Sequence, residues 1–178
     1  MNDDLIKTAL AYSLGSDIHE AWRAPRKKDD GTFEPRMKKS KDEEWNAAHG
    51  TDDVDIANCS FDELPANWQY ENLEAARVVI NLVYDKTIAG EMITPEEAEI
   101  MAATIHDEWL KRNDWVYNPE YGNPALAVPY ADLSQEEKDK DRTQIRPGVE
   151  KVQAYMDGLI NIEEICNKFG ITQGQARK

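Results

Sequence analysis

Leu10, Leu14, Ile18 and Trp22 recur every four residues, the spacing of one helical face, and predict a helix from about Asp3 to Trp22. Pro25 stops it. A second stripe, Leu73, Ala76, Ile80 and Val83, marks a helix with Pro65 near its first turn. A third, Ala98, Met101, Ala102, Ile105 and Trp109, follows Thr94-Pro95-Glu96-Glu97. That tetrapeptide offers an N-cap, a proline at the first helical position and acids in the first turn. The fourth helix starts at Ser134, which forms a capping box with Glu137. Pro147-Gly148 interrupts it, and Val149, Val152, Met156 and Leu159 continue the stripe. The intervening loops are polar, with "VDIA" (54–57) a short strand.

The stripes repeat. Leu14 and Met101, Ile18 and Ile105, His19 and His106, and Trp22 and Trp109 are each 87 residues apart. Leu73, Ala76, Ile80 and Val83 each precede Val149, Val152, Met156 and Leu159 by 76, and Phe61/Tyr130 and Leu64/Leu133 lie 69 apart. Such matches indicate an internal duplication, whose halves bury their stripes by packing together. The expected fold is therefore mainly α: two pseudo-symmetric helix-loop-helix repeats packed as one bundle, with short strand-like pieces in the loops. The repeats span 1–90 and 91–160, with a helical tail at 161–178. The loop of the first half is longer, 26 positions from Pro35 to Phe61 against 11 from Pro119 to Tyr130. The tail "NIEEICNKFGITQGQARK" has the form of a helix-turn-helix opening, with Gly170 at the turn and Thr172 capping a new helix. An acidic body favours a terminal helix packed on the bundle instead.

Composition narrows the function. With 178 residues the chain can bury a core, and a net charge of −14 opposes general binding to a phosphate backbone. Nucleic acid is therefore not an expected partner. No apolar run is long enough to span a membrane. The acidic start "MNDDLIKTAL" lacks the form of a signal peptide. Cys59 and Cys166 fit free thiols in a cytoplasm. The charge is uneven: residues 23–41 hold eight Lys or Arg and three acids, either an anion site or a loop whose cations pair with the acidic surface.

The second half carries "IHDEW", Arg112, "DWVYNP", "NPALAVPY" and "DLSQEEKDKDR" in order. In this it resembles the ryanodine-receptor repeat (RyR) domain family over residues 94–158. The first half follows the same order more loosely, with "DIHEAWRAPR", "GTFEPR" and "SFDELPANWQYENLEAAR". "DEEW" stands where the family has its Leu-Val-Pro-Tyr piece. The resemblance implies a bacterial or phage member built as a symmetric pair. It also implies a nucleotide-derived ligand, of the adenine nucleotide or ADP-ribose type, in the cleft between repeats. The Trp of each His-x-x-Trp motif, Trp22 and Trp109, would stand at the pocket.

Read from the residues alone, each of these tryptophans is a core anchor or a stacking wall. His19 and His106 fix the following loops or face the ligand. Arg23, Arg26, Arg36 and Lys38 suit phosphate oxygens. Arg112 takes a related place in the second half, where Leu110 and Asn113 replace Arg23 and Arg26, so charge recognition should be lopsided. Trp115, Tyr117 and Asn118 would line the opposite side. No metal-ligand spacing and no catalytic constellation is evident, so neither a cofactor nor catalysis is expected. The leading expectation is a non-enzymatic binding module, a sensor or a sequestering protein. Its rival is an acidic interaction protein that mimics nucleic acid or blocks a partner. A hydrolase for the same ligands ranks third.

Overall fold

In the computed structural model, which describes residues 2–172, the helices begin and end where the chain supplies caps. Helix α1 (Asp3–Arg23) has two acids in its first turn and passes at Pro25 into a 3-10 turn, Ala24–Arg26. Helix α2 (Glu43–His49) is capped by the Asp42 carboxylate, which accepts from the Trp45 amide at 3.0 Å, and closes on Gly50 at φ 68°. Two short strands flank it, β1 (Met37–Lys39) and β2 (Asp53–Asp55). They pair antiparallel with Lys38 opposite Val54. A 3-10 turn (Phe61–Glu63) then leads to α3 (Ala66–Ile88).

Helix α4 (Pro95–Arg112) opens on a reciprocal capping box between Thr94 and Glu97. After a 3-10 turn (Asp114–Tyr117) and a second (Tyr130–Asp132) come α5 (Gln135–Arg142), α6 (Ile145–Met156) and α7 (Ile162–Phe169). The chain is mainly helical, as its periodicity predicts, and among the described residues there is one sheet, of two strands. No helix among the described residues is long and apolar enough to cross a membrane.

By contacts the chain divides into two units, Ala11–Ala76 and the combination of Met1–Leu10 with Arg77–Lys178. In the first, Leu14, Val54, Ala57, Phe61, Leu64, Leu73 and Ala76 are buried. A Cβ added to Gly15 would stand 3.2 Å from the Asn72 carbonyl oxygen. In the second, Val79, Ile80, Val83, Met101, Ala102, Ile105, Val116, Tyr130, Leu133, Ile145 and Val152 are buried. Helix α5 is tied to α4 by the Arg142 guanidinium on the Glu99 carboxylate, which also accepts from the Tyr130 hydroxyl at 3.1 Å.

Three expectations need correction. Pro147-Gly148 does not interrupt the last helix. Proline is tolerated in a first turn, where its missing N–H has no intrahelical partner, and the break falls earlier, at residues 143–144 between α5 and α6. Gly148 lies inside α6, where an added Cβ would meet Val79 Cγ1 at 2.4 Å. The stripe also ends early: Met156 is 43% and Leu159 78% exposed, because α6 stops at Met156 and Gly158 turns the chain at φ 72°. Its buried face is Ile145, Gly148 and Val152. Lastly, Ser134 caps α5 by accepting from the Glu137 amide at 3.2 Å, but the Glu137 carboxylate pairs with Lys140 at 2.6 Å. Helix α7 is capped by Asn161 and ends on Gly170 at φ 65°; any helix beyond Thr172 falls outside the described residues.

Candidate functional site

Both His-x-x-Trp motifs sit at the end of a long helix, and a helical offset of three stacks the two rings on one face. His19 lies over Trp22 with ring centroids 5.8 Å apart and planes 25° from parallel; His106 and Trp109 give 6.2 Å and 20°. Both histidines are buried. Each reaches a backbone carbonyl with Nε2: His19 that of Cys59 at 2.9 Å, His106 that of Val128 at 2.8 Å. A carbonyl only accepts, so Nε2 carries the proton in both rings. The duplicated motif is thus a duplicated clamp, holding the connecting loop onto the helix that precedes it.

Around Trp22 the cations stack on rings. The Arg26 guanidinium lies 4.6 Å from the Trp22 ring centroid. Arg23 is buried, 4.0 Å over Phe33 and 3.3 Å from the Glu20 carboxylate. Lys38 stands 5.6 Å over Trp68, and its ammonium is lowered below the usual lysine range by burial and then by Arg36. Arg36 is exposed, its backbone amide donating to Asp55 at 2.8 Å. Lys39 bridges Asp52 and Asp53 at 2.8 and 2.9 Å. The basic segment is therefore laced to the aromatics and acids of its own unit.

Around Trp109 the arrangement differs. Asn113, at the position of Arg26, receives a hydrogen bond from Trp115 Nε1 at 3.0 Å. That fixes the Trp115 ring edge-on to Trp109, 6.2 Å away and at 83°. Arg112 donates to the Glu108 carbonyl at 3.0 Å. Trp115 and Tyr117 are exposed, and the Asn118 carboxamide oxygen accepts from the Glu120 amide at 2.8 Å.

Beside Trp109 lies a cavity of about 330 Å³, lined by His106, Trp109, Leu126, Leu133, Glu137, Lys140, Asp141 and Gln144. It is at the small end of the range for small-molecule sites, about 300–1,000 Å³. Asp141 Oδ2 is 3.7 Å from His106 Nδ1, and the Asp141 side chain is only 13% exposed. Burial pushes its pKa up to about 6, against the opposing pull of His106. Among the expected site residues, His106 and Trp109 meet in this cavity. His19, Trp22, Arg23, Arg26 and Arg36 belong to the other unit.

The α5 contribution was missed from sequence. Glu137, Lys140 and Asp141 stand at i, i+3 and i+4 on one face of α5, and Gln144 follows in the break before α6. Their polarity makes them look like a solvated surface. Among the described residues no group of three or more His, Cys, Asp or Glu could hold a metal ion. Compared with known families, curated proteins and solved structures, the chain matches none.

Proposed function

We propose that this chain is a non-enzymatic RyR-like module that binds the planar ring of a small nucleotide-derived ligand, as a sensor or a sequestering protein. The observation that carries this reading is Trp109, a half-buried indole on the wall of a small cavity floored by buried His106. Stacking on an indole contributes about 1–3 kcal/mol per base. The motif order shared with the ryanodine-receptor repeat supports the same ligand class. Binding without turnover is favoured because His106 Nε2 is committed to Val128 and Nδ1 faces Asp141. Neither nitrogen is presented to take a proton from a substrate.

Thermal unfolding with adenosine, AMP and ADP-ribose tests this. A ligand at 100 times its Kd adds about 2.7 kcal/mol, a shift of roughly 5–11 °C for a chain of this size. The shift should vanish in a folded Trp109→Ala variant. No shift with any of the three removes this reading. The net charge of −14 would then favour an acidic surface for a basic protein partner.

A further inference from the structure

Resting on the ring-binding reading above, we infer that the cavity selects an amine-bearing heterocycle through the Asp141 carboxylate and leaves any phosphates outside. The charges of the lining are the first argument. Glu137 and Asp141 supply two carboxylates, and the one lysine, Lys140, is already bridged to Glu137 at 2.6 Å and to Glu136 at 3.9 Å. A phosphate placed here would lose water and face acids, the opposite of an anion site.

The second argument is the hydrogen-bonding capacity of Asp141. An ionised carboxylate accepts at about four lone-pair positions. The hydrogen bond it receives from Gln144 Nε2 is long, 3.5 Å. His106 cannot make up the difference while neutral. Its Nε2 proton goes to the Val128 carbonyl, so the Nδ1 lone pair is what faces Asp141 at 3.7 Å. A buried acceptor with unused capacity beside an aromatic wall is complemented by a flat ring that carries N–H donors on its edge. The exocyclic amine of adenine provides two such donors at position 6, whereas inosine carries an acceptor oxygen there and keeps only the N–H of its ring N1.

The test is calorimetric titration of the full chain with adenosine, inosine and AMP at pH 7.5. A hydrogen bond to a charged group distinguishes ligands by about tenfold or more, so adenosine should bind at least tenfold more tightly than inosine. AMP should bind no more tightly than adenosine. Asp141→Asn should erase most of the preference, because a carboxamide donates to an oxo group as readily as it accepts from an amine. Equal affinity for adenosine and inosine, with both lost in Trp109→Ala, would overturn the role of Asp141 while ring binding stands. Tenfold tighter binding of AMP would overturn the exclusion of phosphate. Absence of binding by all three ligands would remove both the selectivity and the ring-binding reading.

Discussion

The two His-x-x-Trp motifs share a clamp and differ in what surrounds it. In each, a buried histidine stacks on its tryptophan and donates to a loop carbonyl, at 2.9 Å for His19 and 2.8 Å for His106. Over Trp22 the Arg26 guanidinium covers the indole. Beside Trp109 an Asn stands at that position, and a cavity opens. The following helices differ as well. Helices α3 and α5 both start just after a 3-10 turn, at Ala66 and Gln135, 69 residues apart. Further on the offset is 76. Those seven additional residues fall where α3 continues unbroken and where the second half breaks between α5 and α6. In the duplication the clamp is the constant part, and the face beyond it is free to diverge.

The strongest way to break this comparison is to remove the clamps. His19→Ala and His106→Ala should each destabilise by about 3 kcal/mol, from a lost buried hydrogen bond and the space left behind. That corresponds to a fall in Tm of roughly 6–12 °C. The two losses should agree closely, because both rings have the same burial and acceptor. A large loss for one and none for the other would mean that the resemblance of the motifs is superficial.

Asp141 sharpens the contrast with the opposite sign. Its pKa is raised to about 6 by burial, with His106 on α4 and Glu137 and Lys140 on α5 as the ionisable groups facing it. A carboxyl with a raised folded-state pKa favours the fold below about pH 4, and that contribution disappears as pH rises through 6. At pH 7.5 the ionised group therefore opposes folding. Asp141→Asn should add on the order of 2 kcal/mol at that pH, and the gain should vanish near pH 4. The residue 69 positions earlier is Asn72, whose Nδ2 donates to the Trp68 carbonyl at 3.0 Å. Asn72→Asp should destabilise by about 1 kcal/mol through loss of that donor. Denaturation curves across pH for both variants check the pair. A destabilised Asp141→Asn at pH 7.5 would show instead that the carboxylate is a satisfied structural acid.

Much of this was legible in the chain because apolar periodicity reports burial. Leu10, Leu14, Leu73, Ala76, Ile80, Val83, Met101 and Ile105 are all buried. The caps at Thr94 and Ser134 lie where Ser and Thr stand three residues before a glutamate. Three features were not legible. Helix α2 had its signals, Asp42 before two glutamates and Gly50 after, but with seven residues and no buried one it leaves no stripe to read. The ends of the last stripe failed because Met156 and Leu159 match buried partners in the first half, yet Gly158 turns the chain before they can be covered. The acidic side of the cavity stayed hidden because a polar helical face reads the same whether it meets water or a pocket.

The smallest expected effect concerns the cover on the first indole. Arg26 lies 4.6 Å from the Trp22 ring centroid, and a cation over an indole at a partly exposed site contributes about 0.5–1 kcal/mol. Arg26→Ala should lower stability by no more than that. Its more informative consequence is exposure of the Trp22 face, which quenching of Trp22 fluorescence by acrylamide reports in a variant whose other four tryptophans are phenylalanine. Quenching should rise on Arg26→Ala if the guanidinium is what shields the ring. Unchanged quenching would mean that the surrounding chain covers Trp22 without it, and that the asymmetry between the two motifs does not reside in this one cation.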